Sequence, residues 1–445
     1  MGLTKELFET DSLCPECLNL IKAKITEEND EVYMYKNCEV HGEYKTVLWR
    51  GKPRIEDWIN TKNRVFIKNP LTEVVNGCPY DCGLCKEHRQ TTCTALIEVT
   101  NDCNLYCKFC FASAKDKETI EPSLKDIEFY YDRILQQSGV CNVQLSGGEP
   151  TVRDDLKEII KIGKEKGFDF IQINTNGIRI GEDEDYLKEL KKAGLSSVYL
   201  QFDGTEDEIF ENIRGRKLLQ TKIDAINNCS KYSIGVVLVP VIIPGINDYN
   251  IGEMIKFALN YTPAVRGIHF QPVSYFGRIE NKPTDNDRIT LPEIMEKIES
   301  QTNGLVKMDS LKAPCCENSL CSFNGSFIYD KEKNLKPITK RNSDSCKSSN
   351  IDAAEGAVRA KKYVAGNWKI SSVKKSKKLD PWESLVNELK TRTFSISAMA
   401  FQDVYNVSIE RLKDCCIHVV NKEGNLIPFC IYNITNIEGK SIYRQ

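Results

Sequence analysis

The sequence predicts an α/β protein built on a partial (β/α)6 barrel, with a cysteine-rich metal-binding module before it and an α+β extension after it. Three observations carry that expectation. Between residues 93 and about 280, six short apolar runs alternate with amphipathic stretches. The runs are rich in Val and Ile, which suits parallel strands buried on both faces of a sheet. Ten of the nineteen cysteines lie before residue 111, in groups too tight for packing alone and spaced like metal sites. The expected boundaries are therefore 1–92 for the metal-binding module, 93–280 for the barrel and 281–445 for the extension.

Taken in order, residues 1–92 hold short strand-like segments such as "EVYMYKNCEV" and "EYKTVLWRG", punctuated by cysteine. The barrel strands are expected at 94–101, 142–147, 170–176, 197–204, 234–241 and 266–273. Helical patterns fall between them at 123–138, 154–166, 185–193, 218–229 and 248–260. Sites in such folds gather at the C-terminal ends of the strands. From about 281 the alternation fades. "APCCENSLCSF" (313–323) is followed by the lysine-rich 361–378, read as a solvated linker or helix face, and by a compact segment, 381–445.

Bulk properties exclude several classes. The 445 residues carry 61 basic and 63 acidic side chains, so no global charge argues for nucleic acid or an anionic membrane. No stretch approaches the roughly 20 apolar residues of a membrane span. "MGLTKELFET" lacks the apolar core of a signal peptide, which predicts a cytoplasmic protein. Glu6 stands where a myristoylation signal needs Ser or Thr. In a reducing compartment nineteen cysteines are not a disulfide framework.

"TNDCNLYCKFCFASA" (100–114) places Cys103, Cys107 and Cys110 directly after the first barrel strand. This C-x3-C-x2-C loop is closer to iron–sulfur ligation than to zinc, whose structural sites want four ligands, usually in two separated pairs. Three thiolates on a [4Fe–4S] cluster leave one iron without a protein ligand. The alternative is a zinc clip that borrows a remote fourth ligand.

With "LSGGEP" (145–150) at the end of the second strand, the chain resembles the radical S-adenosylmethionine (SAM) superfamily. The resemblance implies that Cys103, Cys107 and Cys110 hold the SAM-binding [4Fe–4S] cluster, and that Gly147, Gly148 and Glu149 meet the methionine amino group. Phe109 takes the aromatic position beside the adenine. Asn174 or Asn176 in "NTNG" corresponds to a strand-end ligand of ribose or carboxylate, and Gln201 and Asp203 in "LQFDG" correspond to ligands of the ribose hydroxyls. Arg214 resembles the arginine that grips the SAM carboxylate, and Asn247 in "IIPGIND" is a further contact. Turn chemistry explains the polar strand-end residues equally well. The implied reaction is reductive cleavage of SAM to methionine and a 5′-deoxyadenosyl radical, which takes hydrogen from an unactivated carbon. A low-potential donor such as ferredoxin or flavodoxin is implied with it.

Other cysteines extend the pattern. Cys78, Cys82 and Cys85 repeat C-x3-C-x2-C ahead of the barrel, which reads as an auxiliary [4Fe–4S] cluster or a zinc knuckle, with His88 or Cys93 as fourth ligand. Cys14 and Cys17 pair with Cys38 and His41 as a tetrahedral site, zinc or rubredoxin-like iron. Its role is structural, since a small β unit has little core of its own. Cys141 and Cys229 read as core; the vicinal Cys415 and Cys416 read as redox thiols or ligands.

The order of these modules resembles the branch holding the archaeal tetraether lipid synthase, dihydropterin-methylase-like proteins and TrsS-type radical SAM (seleno)proteins. That likeness implicates Cys316, Cys321, Cys416 and Cys430 in a further auxiliary cluster. It implies C–C bond formation or methylation on a small-molecule or lipid-like substrate. A peptide modifier and a non-catalytic zinc scaffold stand as alternatives; the first would carry its auxiliary clusters C-terminally, and intact Cys103, Cys107, Cys110 and Glu149 argue against the second.

Overall fold

The computed structural model describes residues 4–59, 65–67, 70–116, 121–279, 282–339, 353–370 and 391–444. Two sheets organise the chain. The first is a four-stranded antiparallel meander of β1 (Lys5–Leu13), β2 (Leu20–Glu28), β3 (Glu31–Cys38) and β4 (Gly42–Arg50). The second contains β5 (Thr94–Thr100), β6 (Asn142–Gly147), β7 (Ile171–Thr175), β8 (Ser197–Gln201), β9 (Gly235–Val239), β10 (Val241–Ile242) and β11 (Val265–Pro272). It continues with β12 (Ser322–Tyr329), β13 (Leu335–Pro337), β14 (Thr393–Met399), β15 (Ile417–Val420) and β16 (Leu426–Pro428).

The order β5-β6-β7-β8-β9-β11 is parallel throughout, the partial (β/α)6 barrel that the alternating pattern predicts. All five predicted helices form within a few residues of their expected ends. The first starts where a capping box at Ser123 and Asp126 satisfies its free N–H groups, and stops at Gly139. Two short helices, Ile178–Glu182 and Asp207–Arg214, lie outside the expected pattern.

The extension does not stand apart from the barrel. Strand β14 pairs parallel with β11 at one edge, and β15 pairs parallel with β5 at the other. Both edges of the six-stranded core are thereby covered, which removes exposed ladder groups. This explains the fading alternation beyond residue 281: these strands join by long-range pairing rather than by repeat.

Side-chain alternation sorts the barrel into two faces. On β7, Ile171 and Ile173 join the core under the helices, while Gln172 and Asn174 line an interior cavity. On β8, Val198 and Leu200 go to the core and Tyr199 and Gln201 to the cavity. The helix Ala353–Trp368, which takes up the start of the lysine-rich stretch, turns Tyr363, Val364 and Trp368 into that cavity. Residues 371–378 of that stretch, and 381–390 and 445 of the final segment, lie outside the described residues.

The small sheet is tied to the extension by a buried cation. Lys36 Nζ donates to Ser12 Oγ (3.1 Å), Leu13 O (2.9 Å) and Val404 O (2.7 Å), and burial holds its pKa down at about 7.

Candidate active site

At the C-terminal ends of the strands a cavity of about 510 Å³ opens, lined by Cys103, Cys107 and Cys110 on one side and by Gly147, Gly148, Asn174, Asn176, Gln201 and Arg214 on the other. The three cysteines leave β5 on an irregular loop and are part-buried. Burial pushes the Cys103 thiol up to about 12. Three thiols on one loop, open to a cavity, are a donor set that fits a cluster with one corner left for SAM.

Arg278, absent from the sequence expectations, clamps this loop. Its main chain exchanges hydrogen bonds with Cys110 (3.2 and 3.0 Å), and its guanidinium donates to Cys107 O (3.0 Å). It also pairs with Asp116 and stacks over Tyr106 at 3.6 Å.

The glycines of "SGGEP" have a clear steric reason. A Cβ on Gly147, whose φ is +120°, would lie 2.1 Å from Thr100 O, and one on Gly148 would lie 2.1 Å from Asp102 O. Their absence lets Gly148 N–H donate to Thr100 O and Glu149 N–H to Asp102 O, both at 2.8 Å. The end of β6 is thus zipped to the start of the cysteine loop.

Glu149 is fully buried. Its carboxylate accepts from Thr151 N (3.0 Å) and Oγ1 (2.5 Å), Thr175 Oγ1 (2.7 Å) and Asn176 N (2.6 Å). Burial nevertheless raises its pKa. Asn176 in turn donates to Asn104 Oδ1 at 2.6 Å, tying β7 to the cysteine loop. Asn174 Oδ1 is buried with no hydrogen-bond partner among the described residues, an acceptor left free inside the cavity. Phe109 lines the cavity edge-on to Tyr275.

Two of the expected contacts lie behind the cavity wall. Asp203 is fully buried and is not among the cavity-lining residues: it forms a bidentate pair with Arg214 (2.7 and 2.9 Å) and accepts from Gln201 and Val241 N. Asn247 is fully buried as well; it donates to Asp203 O and Val241 O and accepts from Ile243 N, stapling the loop after β9. Of the "LQFDG" and "IRG" residues, Gln201 and Arg214 reach the cavity. Lys222, also unforeseen, is fully buried behind them, donating to Gln201 Oε1 (2.9 Å) and to Asn176 O; burial lowers its pKa to about 7.

The remaining cysteines sort into distinct places. The Cys14, Cys17, Cys38 and His41 ligand atoms all lie within 4.8 Å of one another. Backbone N–H groups of Val40 and His41 lower the Cys38 thiol to about 6, favouring the ligating thiolate. Cys78, Cys82 and Cys85 pack against Leu412, Lys413 and Pro428, with Cys78 and Cys82 Sγ 4.0 Å apart. His88 lies beside them, but its Nε2 is 2.8 Å from Cys415 O. Cys93 is not with this group.

Cys93 stands instead with Cys316 and Cys416, all three Sγ atoms within 4.8 Å. Of the expected set of Cys316, Cys321, Cys416 and Cys430, the structure brings Cys316 and Cys416 together. Cys321 Sγ accepts from Arg411 (3.4 Å) and Cys430 Sγ from Gln402 N (3.3 Å), and neither joins the trio. Cys93 was unreadable as their partner because it is 323 residues from Cys416 and meets it only through the β5–β15 pairing.

The Radical SAM superfamily profile matches residues 97–258, and the HMPTM N-terminal zinc ribbon domain profile matches 7–50. The chain is 35% identical, over 479 aligned positions, to the 7,8-dihydro-6-hydroxymethylpterin dimethyltransferase of Methanocaldococcus jannaschii, covering 96% of this chain and 93% of that one. It is 34% identical to a probable GTP 3′,8-cyclase of Thermococcus kodakarensis, covering 36% of this chain and 52% of that one. Among solved structures, Streptococcus suis SuiB bound to S-adenosylmethionine is 18% identical with a TM-score of 0.39, covering 48% of each chain. No helix among the described residues is long and apolar enough to cross a membrane.

Proposed function

The chain belongs to the radical SAM superfamily, in the family of the hydroxymethylpterin dimethyltransferase, and from that premise we propose that it methylates a pterin-like heteroaromatic small molecule inside its barrel. When bound, the [4Fe–4S] cluster supplies the electron that cleaves SAM to methionine and a 5′-deoxyadenosyl radical. The methyl group would come from an external donor, and the chain's own residues hold and orient the reactants. Cys103, Cys107 and Cys110 would hold the cluster, with Arg278 fixing their loop. Gly147, Gly148, Asn174, Asn176, Gln201 and Arg214 would hold SAM across the mouth, and Phe109 would flank its adenine. The covered sheet edges and the helix Ala353–Trp368 keep water from the radical's path. A ferredoxin or flavodoxin is the electron source we favour.

The observation that carries the substrate class is the carboxamide lining of the barrel. Gln144 and Gln172 are hydrogen-bonded at 3.0 Å, and Asn142, Asn174, Gln271, Tyr199 and Trp368 line the same cavity. Paired donors and acceptors beside aromatic faces match the lactam and amino edges of a bicyclic heteroaromatic. A cavity of about 510 Å³ also sits within the range of small-molecule sites, about 300–1,000 Å³, which favours a pterin over long lipid chains.

The test is anaerobic turnover of iron- and sulfide-reconstituted protein with SAM, a low-potential reductant, cell extract as source of the methyl donor, and 6-hydroxymethyl-7,8-dihydropterin. A methylated pterin by mass spectrometry is expected. Steady 5′-deoxyadenosine with the pterin unchanged would overturn the substrate while leaving the radical chemistry standing.

A further inference from the structure

The helix Ala353–Trp368 lies across the N-terminal ends of the barrel strands. Asn142, the first residue of β6, donates from Nδ2 to Lys361 O (3.4 Å). Gly235, the first residue of β9, lies so close to the helix that a Cβ there would stand 2.1 Å from Trp368 O. The Cys103 loop follows the opposite end of β5, whose seven residues span about 20 Å at about 3.3 Å per residue. The cavity runs between these ends and is deeper than a bicyclic ring alone would fill.

Two cations, Lys312 and Arg359, line the cavity at the helix end. Lys312 is part-buried, and its main chain exchanges hydrogen bonds with Asn324, each 3.0 Å; Asn324 lines the same cavity. The Lys312 ammonium has no hydrogen-bond or ion-pair partner among the described residues. Burial and then the nearby Arg359 charge lower its pKa, and no carboxylate is placed to offset them. Arg359 holds Glu355 one turn back on the helix (2.7 Å), an exposed pair that water already weakens. Glu317, the acidic residue in this part of the lining, is turned to Ser322 and Cys416. Cations at a protein surface are usually just solvated. Here two like charges share one end of a cavity, and one of them is withdrawn from solvent without a counter-charge. An anion entering the cavity relieves both costs.

We propose that Lys312 and Arg359 form an anion subsite, and that the heteroaromatic substrate enters the cavity as a phosphate ester whose phosphoryl group docks there. Such a group carries about −1.5 to −2 charge at neutral pH and three acceptor oxygens, which matches an ammonium and a guanidinium together. The guanidinium fork takes two oxygens and the ammonium the third. The ring rests on the pterin-like reading above; the subsite rests on the two cations alone. Anchored at the helix end, the ring stands in the carboxamide-lined middle of the barrel, on the near side of SAM.

The test compares 6-hydroxymethylpterin with its phosphate monoester, read by pterin fluorescence, on the reconstituted full chain with SAM. The ester should bind ten-fold or more tighter. Lys312→Met and Arg359→Met should each remove most of that advantage. Binding of the unesterified pterin and the metal of the Cys14 site should stay as in the parent chain, which certifies the fold. Lys362→Met, exposed on the same helix and outside the cavity lining, should change nothing. Equal affinity for ester and alcohol in the parent chain, or an advantage that survives both variants, would overturn the subsite. If neither pterin binds, inorganic pyrophosphate supplies the second readout, through the melting temperature. Stabilisation of the parent chain that is lost in the two variants would uphold the anion subsite and sink the pterin reading. Pyrophosphate that stabilises no chain, or all three alike, would overturn the proposal outright.

Discussion

Asp203 and Arg214 are a buried ion pair in good bidentate geometry, placed directly behind the cavity wall. Removing one partner strands the other charge, so Asp203→Ala should lower stability by about 3–5 kcal/mol in urea unfolding. Arg214 would then be free to leave the wall, and SAM affinity should fall with it. His269 sets a pH limit. Burial lowers its pKa from 6.5 to about 4, so between those values the unfolded chain binds a proton that the folded chain refuses. Its contribution is full above about pH 6.5 and lost as pH falls toward 4, about 3 kcal/mol in all. His269→Gln should flatten the acid limb of stability against pH relative to the parent chain. At this scale the cysteine and glycine spellings were legible from the sequence because their spacing is local. Arg278, Lys222 and Cys93 were not, since each meets its partners only through strands brought together by folding.

Among elements, the join between β6 and the cysteine loop is the most sensitive. Gly148→Ala forces a methyl group onto Asp102 O, a contact that backbone cannot relieve without shifting. We expect this variant to lose SAM cleavage and much of its Cys103-loop iron while keeping the metal of the Cys14 site, as read by metal analysis and 5′-deoxyadenosine yield. The small antiparallel sheet makes the opposite case. Its core is slight, and its metal ligands sit at the end of β3 and in the loops after β1 and β3. Cys38→Ser should leave the barrel folded but expose residues 4–59 to limited proteolysis, with cleavage products mapped by mass spectrometry. The barrel strands were readable because each is short and carries β-branched or Leu residues on its core face. The short helices Ile178–Glu182 and Asp207–Arg214 were hidden inside loops too brief to display a helical period.

For the whole molecule, the decisive feature is that one cavity runs through the barrel from the Cys103 loop to the helix Ala353–Trp368. The extension builds that cavity: β14 and β15 complete its sides, and Trp368 packs at 5.6 Å from Tyr199 at its floor. Sequence periodicity reveals strands and helices but not which distant strand covers an edge, so the extension read as an appendage. The central claim is that the Cys103 loop starts radical chemistry on a substrate held in this cavity. The most direct measurement is 5′-deoxyadenosine formation by reconstituted protein with SAM and dithionite, in the wild type and in a Cys103→Ala, Cys107→Ala, Cys110→Ala triple variant. The wild type should form it, faster when 6-hydroxymethyl-7,8-dihydropterin is added, and the triple variant should form none. A fully reconstituted wild type that yields no 5′-deoxyadenosine, or a triple variant that yields as much, would contradict it.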